Sequence, residues 1–403
     1  MEIKQVTSPV VNKVAIVGGG IGGLATAVAL RKQGIDAHVY EKARELRPVG
    51  ASLGLAPNGL KSLEAVDPGI VEKLKEKGSQ VSTIIAKTPT GETLQTFPVT
   101  TMAQYGQPLL MVPWFELQET LASLLPPDSI HLNHQCIGFT ENSDRVTVNF
   151  EGGKTVDAEL LIGADGIKSS VRQASMGEEL PRYGKRMLWV AFVKYSHEMV
   201  PANTTIAITV PGKSILLGDI GNNRLYWGIG VFSQDIFLSQ SSSEVKARVL
   251  TEVAGWAPPV PEVIEATPDE AIVELPIHYR LPLSNWRKER VILLGDAVHA
   301  MGGAIGQGAN TTFEDAWELS YCLSHADSLE TALNNYERSR RERVHVIHAR
   351  SVLAGYRIYN PQFSLQDLEK NFGDFVEASA DEFNEWLYSY EPEAIAQTIA
   401  SSR

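Results

Sequence analysis

The sequence predicts an α/β protein in which a Rossmann-like nucleotide-binding domain carries an inserted antiparallel β-sheet and C-terminal helices. An apolar strand, a glycine-rich turn, an apolar helix and a second strand follow one another between Lys13 and Glu41. This is the order of a parallel strand–helix–strand unit. Short apolar strands return near residues 160 and 291, and residues 186–232 between them form a series of strand-like segments.

The same pattern divides the chain into domains built from separate segments. A chain of 403 residues is longer than one hydrophobic core usually serves. We predict a nucleotide-binding domain from residues 11–80, 110–175 and 285–360, a β-rich domain from residues 81–109 and 176–284, and a C-terminal helical segment from residues 361–403.

Composition and charge exclude several classes of binding partner. The chain is 43% hydrophobic with a formal net charge of −12, which argues against nucleic acids and anionic membranes as partners because both attract clustered Lys and Arg. The sequence shows no apolar signal segment and no run long enough to span a bilayer, so we expect a cytoplasmic protein. Cys136 and Cys322 match no metal or redox spacing. We expect two buried, reduced thiols and no metal site.

The first motif is Gly18-x-Gly20-x-x-Gly23, between a strand and a helix. In this arrangement the first glycine permits a tight turn, the second lets backbone approach a pyrophosphate, and the third lets helix and strand pack closely. Glu41 follows the second strand, where an acid can hold a ribose diol. The motif predicts a dinucleotide site that FAD or NAD could fill. A structural turn beside a surface acid is the competing interpretation.

Two more buried strands end in an acid. "LLIGADGIKSSVR" reaches Asp165-Gly166 before a helix start, and "LLGDAVHAMGGAIGQGAN" reaches Asp296 before a glycine-rich loop. Alone, the first is equally a strand–turn–helix capped by Ser or Asp. The second, alone, is also compatible with a loop at a packing corner.

Together, in this order and spacing, the three motifs resemble the class A FAD-dependent aromatic-ring monooxygenases of the para-hydroxybenzoate hydroxylase type. More narrowly, the chain is similar to the salicylate hydroxylase-, urate hydroxylase- and zeaxanthin epoxidase-like members. The resemblance covers about residues 12–355 and includes "GWAPPV" and "ALNNYERSRRERV". It implies that the first domain binds FAD and that the β-rich domain holds the substrate.

The resemblance also implies which positions contact FAD. The glycine turn would cradle the pyrophosphate, Glu41 the adenosine ribose, and the backbone of Ile137 the adenine. Asp296 would accept hydrogen bonds near the ribityl chain, and Asp165-Gly166 would be shared between FAD and nicotinamide binding. The residues from Gly306 onward would lie along the flavin and start a helix whose dipole stabilises negative charge on the reduced ring. The predicted FAD-binding residues are Gly18, Gly20, Ile21, Gly22, Gly23, Glu41, Lys42, Arg44, Gly54, Ile137, Asp165, Asp296, Gly306, Gln307, Gly308, Ala309 and Asn310.

The implied reaction consumes NADH or NADPH and O2. The nicotinamide reduces FAD, and O2 then forms a flavin hydroperoxide that an electron-rich small aromatic or isoprenoid-like substrate attacks. The same fold also serves flavoprotein oxidases or dehydrogenases, and a non-catalytic ligand-binding relative is a further alternative. The assembly is expected to be a monomer or a homodimer. The residues expected to line the substrate pocket, each with ordinary sheet core as the alternative, are Met187, Trp189, Leu217, Trp227 and Gly303.

Three positions depart from the family pattern. Trp114 stands where the family usually has an Arg that contacts FAD, and an aromatic ring cannot make a bidentate phosphate contact; Arg44 or Arg47 could compensate. Gly303 replaces a common Pro, and Val190 replaces a common polar residue. These departures indicate a larger or more apolar substrate. No catalytic acid or base is predicted, and His299 is expected to be structural.

Overall fold

The computed structural model describes residues 9–46, 51–177, 179–360, 363–373 and 378–401. The strands are β1 (Lys13–Val17), β2 (Asp36–Tyr40), β3 (Ser52–Leu55), β4 (Ser79–Val81), β5 (Thr83–Lys87), β6 (Thr93–Pro98), β7 (Leu109–Pro113), β8 (Ile130–His131), β9 (Cys136–Glu141), β10 (Val146–Phe150), β11 (Thr155–Ala158), β12 (Leu160–Gly163), β13 (Arg182–Lys194), β14 (Thr204–Val210), β15 (Lys213–Asp219), β16 (Arg224–Phe232), β17 (Val273–Tyr279), β18 (Arg287–Lys288) and β19 (Val291–Leu293). The α-helices are α1 (Ile21–Lys32), α2 (Pro57–Val66), α3 (Ile70–Lys77), α4 (Thr101–Tyr105), α5 (Trp114–Ser123), α6 (Ser170–Met176), α7 (Ser242–Glu252), α8 (Val260–Ala266), α9 (Asp296–His299), α10 (Gly308–His325), α11 (Leu329–Tyr359), α12 (Leu365–Phe372), α13 (Ala380–Tyr388) and α14 (Pro392–Ser401).

A six-stranded sheet forms the centre of the first part of the molecule. Its order is β18-β19-β12-β1-β2-β8, and all neighbours from β19 to β8 run parallel. Its middle strands β1, β12 and β19 are buried almost throughout, as parallel strands covered on both faces are. Gly22 on α1 lets this helix approach α10, because a Cβ atom there would lie 2.6 Å from Cγ2 of Thr312. The predicted α/β class is confirmed.

The parallel order explains why distant motifs meet. The first glycine turn follows β1, Glu41 follows β2, Asp165 lies just beyond β12, and Asp296 lies just beyond β19. Parallel strands present their carboxyl ends at one edge of a sheet. The three motifs, far apart in sequence, therefore lie side by side.

The second sheet has seven strands in the order β17-β13-β16-β15-β14-β5-β6. The neighbours from β17 to β14 are antiparallel, as predicted. The β14–β5 pair is parallel, so the sheet is mixed rather than purely antiparallel. The reason is that β5 comes from a separate insertion, and no hairpin dictates its direction.

One face of this sheet is covered by α7 and α8 and forms its own core. The four large side chains predicted for the substrate pocket all lie in that core and are fully buried: Met187, Trp189, Leu217 and Trp227. Successive side chains of a strand point to opposite faces, and the sequence does not show which face turns toward the cofactor domain because both carry apolar residues. The structure therefore favours the alternative interpretation, ordinary sheet core, for these four positions.

Two long helices, α10 and α11, pack against each other and lead to the three short C-terminal helices α12, α13 and α14. The predicted helical character of the last segment agrees with these helices. Cys136 and Cys322 are buried and form no disulfide, as expected. Within the described ranges, no helix is long and apolar enough to cross a membrane.

Candidate active site

A cavity of about 360 Å³ opens at the carboxyl ends of the parallel strands. It lies between the glycine turn after β1, the end of β2, and the turn after β12. The residues around it that carry polar groups or bare backbone are Gly18, Gly20, Glu41, Lys42, Gln135, Asp165, Gly166, Lys168 and Ser170. The cavity lies between two glycine-containing turns, which is the setting expected for a dinucleotide.

Glycine stands at the three positions of the first motif for three different structural reasons. Gly18 has a φ of +113°, and a Cβ atom there would lie 2.4 Å from the carbonyl oxygen of Ala164. A Cβ atom on Gly23 would lie 2.0 Å from the carbonyl oxygen of Gly18, so both positions admit only glycine. A Cβ atom on Gly20 would meet nothing within 4 Å. Gly20 therefore borders open space, where a phosphate group could approach the backbone at the start of α1.

Glu41 is anchored by backbone amides at the end of β2. Its Oε2 accepts a hydrogen bond from the amide of Gly19 at 2.6 Å, and its Oε1 accepts one from Ala43 at 2.9 Å. On the other side of the turn, the Gln118 side chain donates to the carbonyl of Gly19 at 2.8 Å. The sequence analysis missed Gln118. It lies one helical turn after Trp114, and this spacing on α5 is the only signal for it.

Asp165 caps α6 and keeps one oxygen free. Its Oδ2 accepts hydrogen bonds from the amide and the hydroxyl of Ser170, at 2.7 and 2.9 Å. Its Oδ1 is buried and has no hydrogen-bond partner among the described residues. The capping interpretation of this motif is thus correct for one oxygen. A buried, unsatisfied carboxylate oxygen beside a cavity fits a ligand that donates a hydrogen bond.

Asp296 opens the turn after β19 and faces the start of α10. A Cβ atom on Gly308 would lie 3.9 Å from its Oδ1. Asp296 is exposed, but desolvation by the protein around it raises its pKa, and the charge of His299 opposes this rise. An exposed carboxylate at the end of a strand is suited to accept hydrogen bonds from ligand hydroxyl groups.

The glycine-rich loop ends where α10 begins at Gly308, as predicted. Asn310 ties this helix start to β3: its amide nitrogen donates to Gly54 at 3.0 Å, and its oxygen accepts from Ala56 at 2.9 Å. Gln307 is buried, and its oxygen accepts from the side chain of Asn58 at 3.0 Å. The predicted Gly54 and Asn310 are thus brought into direct contact.

A buried network of charges behind this loop escaped the sequence analysis. Arg340 is fully buried and bonds three carboxylates of α10: Nε lies 2.8 Å from Asp315, and Nη1 lies 2.7 Å from Glu314 and 3.0 Å from Glu318. Asp315 also accepts from Nε2 of His299 at 2.6 Å. Burial alone would raise the pKa of Asp315, but the neighbouring His299 and Arg340 lower it to about 2. The signal in the sequence is a pair of charged runs, "FEDAWELS" and "RSRRERV", on helices that pack together.

The network holds the turn that carries Asp296. Oδ2 of Asp315 accepts from the amide of Gly295 at 3.0 Å as well as from His299, so one carboxylate binds both ends of this turn. His299 is therefore structural, as expected. Arg172 fastens the same turn to α6, since it donates to the carbonyls of Ala297 and Val298 at 3.1 and 3.0 Å.

The remaining predicted positions lie as follows. Trp114 starts α5, and its amide donates to Ala51 at 3.0 Å. Arg44 is exposed, and Arg47 lies outside the described residues. Ile137 is 62% exposed and its neighbour Cys136 borders the cavity. Gly303 has a φ of +71°, which proline cannot adopt, so the loop has a conformation that the usual proline would forbid.

These features fit FAD. The turn around Gly20 offers open backbone for a pyrophosphate, Glu41 borders the cavity at the ribose position, and Asp165 keeps a free buried oxygen there. In the described part of the chain, no group of three or more His, Cys, Asp or Glu side chains is arranged to hold a metal ion.

Comparison with known proteins identifies the family. A family model described as an FAD binding domain matches residues 12–351. The chain is 33% identical to aurachin C monooxygenase/isomerase of Stigmatella aurantiaca, over 86% of this chain and 88% of that protein. It is 31% identical to FAD-dependent urate hydroxylase of Klebsiella pneumoniae, over 82% of this chain and 86% of that protein.

A solved structure agrees with these sequence relatives. The structure of Klebsiella pneumoniae HpxO complexed with FAD and uric acid superposes with a TM-score of 0.81 at 26% identity, and the match covers 96% of both chains. The agreement therefore includes both sheets and most of the C-terminal helices. On this evidence of sequence and structure, the chain belongs to the class A FAD-dependent monooxygenases and hydroxylases, and FAD is its cofactor.

Proposed function

We propose that this enzyme takes electrons from NADH or NADPH and inserts one oxygen atom of O2 into a small, largely apolar substrate, aromatic or isoprenoid-like. The convergence of Gly20, Glu41, Asp165 and Asp296 at one sheet edge carries the cofactor part of this proposal. When bound, FAD supplies the reductive activation of O2. The relatives support the range of substrates, because their names include a urate hydroxylase and a zeaxanthin epoxidase.

We assign the pocket to the face of the second sheet opposite α7 and α8. The β13–β16 register places Val190 opposite Gly228 and Phe192 opposite Tyr226. Phe192 lies 5.9 Å, centroid to centroid, from Phe115 on α5. This face therefore turns toward the cofactor domain.

The proposed wall is apolar around Leu216 and Val190 and carries two tyrosines beside them. Leu216 is 47% exposed and lies opposite Gly228 across β15 and β16. Leu188 lies opposite Gly230. The hydroxyl groups of Tyr226 and Tyr359 cover the two glycines, 2.6 and 2.7 Å from where a Cβ atom would stand. An exposed leucine beside tyrosine rings suits an aromatic ligand with few polar groups. Val190 belongs to this wall, and its apolar side chain agrees with a substrate that needs few hydrogen bonds here.

Arg186 connects this wall to the glycine-rich loop. Its Nη2 donates to the carbonyl of Gly302, and its guanidinium lies 4.6 Å from the ring centroid of Tyr359. Its Nε is buried and has no hydrogen-bond partner within the described ranges. In the proposed enzyme, Arg186 orients the loop beside the flavin. The apolar wall excludes water, which would otherwise compete with the substrate for the activated oxygen.

The test is a purified protein reconstituted with FAD and incubated with NADH or NADPH and a panel of phenols, indoles, purines and isoprenoids. We expect substrate-stimulated NAD(P)H oxidation, O2 consumption, and one ¹⁸O atom from ¹⁸O2 in the product. A product without ¹⁸O would assign the chain to the oxidases or dehydrogenases. Ligand binding without any stimulated NAD(P)H loss would assign it to the non-catalytic relatives.

A further inference from the structure

A second cavity of about 560 Å³ lies between the segment before β18, the end of α9 and the middle of α11. Its apolar walls include Leu283, Trp286 and Val344. It shares no residue with the cavity at the glycine turn or with the loop from Gly302 to Asn310. Its volume falls within the range of about 300–1,000 Å³ that holds small organic ligands.

Two buried histidines on this cavity have ring nitrogens without partners. His299 and His348 both border it, and each is 1% exposed. Nδ1 of His299 and Nε2 of His348 have no hydrogen-bond partner among the described residues. A buried polar atom without a partner is costly, and two of them on one cavity indicate a ligand that satisfies them.

In a neutral imidazole one ring nitrogen donates a hydrogen bond and the other accepts one, so the bond made by one nitrogen decides the role of the other. Burial lowers the pKa of His348 to about 3, so the ring is neutral, and it bonds the backbone of Arg280. The amide of Arg280 already donates to Ala300. His348 therefore donates through Nδ1 to the carbonyl, and its Nε2 presents a lone pair. His299 bonds Asp315 through Nε2, and its Nδ1 is the second ring nitrogen on this cavity without a partner among the described residues.

The charges at the cavity balance each other. Arg341 and Glu342 are both exposed at its edge, and Arg341 donates to the carbonyl of Ser284 at 2.8 Å. The two charged side chains at its edge therefore cancel and do not select an ion. Its interior combines an indole ring and aliphatic side chains with the acceptor nitrogen of His348 and the unpartnered Nδ1 of His299.

We propose that this cavity is a second ligand site, for a small uncharged aromatic molecule that carries a hydroxyl or ring N–H group. The ring packs against Trp286 and Val344, and the hydroxyl or N–H donates to Nε2 of His348. The site adjoins the turn that carries Asp296. If the proposed function holds, a hydroxylated product has this chemistry, but the site itself does not depend on that function.

The experiment measures phenol binding to the FAD-loaded enzyme by isothermal titration calorimetry, with toluene as the probe that lacks a donor. We expect phenol to bind roughly fivefold more tightly than toluene, as one net hydrogen bond allows. His348→Phe keeps the ring but removes the acceptor, and it should abolish this preference. Val344→Phe fills the cavity and should remove binding of both probes.

The matched control is Leu216→Phe, which obstructs the proposed substrate wall. Phenol binding that survives Leu216→Phe and is lost in Val344→Phe supports the second site. Binding that is lost in Leu216→Phe and kept in Val344→Phe, or equal affinity for phenol and toluene, overturns it. If Val344→Phe fails to fold, the His348→Phe comparison decides. These readouts need no catalytic turnover, so they are separate from the test of the monooxygenase reaction.

Discussion

Oδ2 of Asp315 lies 2.6 Å from Nε2 of His299 and 3.0 Å from the amide nitrogen of Gly295. One carboxylate on α10 thereby fixes both ends of the turn that carries Asp296. The carboxylate stays ionised because the neighbouring charges of His299 and Arg340 lower its pKa to about 2. The position of Asp296 thus depends on the buried ion pair of Asp315 with Arg340.

We expect Asp315→Asn to destabilise the fold by about 3–5 kcal/mol, because it leaves the buried Arg340 partly uncompensated. It should also weaken FAD binding, since the turn around Asp296 loses its anchor. Chemical denaturation and FAD titration measure the two effects. Asp144→Asn, at an exposed hairpin acid, serves as the control and should change neither. An unchanged FAD affinity in a destabilised Asp315→Asn protein would show that the turn is held by Arg172 alone.

The glycine motif allows folding to be separated from cofactor binding. Gly20→Ala should fold normally, because its φ of −73° and ψ of 176° suit any residue and its side chain would meet open space. FAD affinity should fall on the order of tenfold, as a methyl group obstructs the approach of phosphate to backbone. Gly23→Ala should instead lose stability before FAD is added, because its Cβ atom would overlap Gly18. Thermal unfolding of the two apoproteins and FAD titration distinguish these cases. Equal stability losses would contradict the assignment.

Adjacent leucines on β15 test which face of the sheet meets the substrate. Leu217→Ala should cost about 2–5 kcal/mol of unfolding free energy, because the side chain is fully buried against α7 and α8. Leu216→Ala should leave stability within about 0.5 kcal/mol but change KM and substrate preference. Urea denaturation and steady-state kinetics on the best substrate of the panel provide both measurements. A substrate effect confined to Leu217→Ala would place the pocket on the other face.

Trp114→Arg tests the missing phosphate contact. If Trp114 has displaced the usual Arg, the variant should bind FAD more tightly by about 1–3 kcal/mol, the size of a charge-assisted hydrogen bond. Trp114→Leu is the control for the loss of the indole ring and should not tighten binding. FAD affinity is measured by fluorescence titration. No gain in Trp114→Arg would mean that another residue already fills this role.

Asp296 should make folding depend on pH in an unusual direction. Although Asp296 is exposed, desolvation by the surrounding protein raises its pKa above the ordinary value of 3.8, so the folded chain holds this proton more tightly than the unfolded chain. The stability contributed by the neutral form is present below the unfolded pKa and is lost as pH rises through the folded pKa. We therefore expect apo Asp296→Asn to be more stable than the parent protein at pH 7 and to bind FAD more weakly.

Denaturation of both proteins from pH 4 to pH 7 gives the difference in unfolding free energy. Asp327→Asn, at an exposed acid, is the control and should show no such trend. A constant difference across this range would mean that Asp296 has an ordinary environment.

Much of the cofactor site was predictable because its signals are local. The turn around Gly18 and Gly23 needs residues without a Cβ atom, and this requirement is written in consecutive positions. The start of α10 after Gly306 was predictable for the same reason. The acids after the strands were visible as well, because a carboxylate at the end of an apolar run is unusual. Their meeting at one edge required the parallel strand order, which strand–helix–strand patterning implies.

Only the tertiary structure decides which of several similar residues in the sequence become buried and which stay exposed. Leu216 and Leu217 are identical residues, and only the packing of α7 and α8 determines which one is core and which is exposed. Likewise, the charges of Asp315 and Arg340 look like ordinary helix-surface residues until two helices bury them against each other. The sequence by itself determined the family and the cofactor, because these depend on short-range backbone geometry. The substrate-facing surface and the support of the turn depend on contacts between residues far apart in the chain, and these exist only in the folded protein.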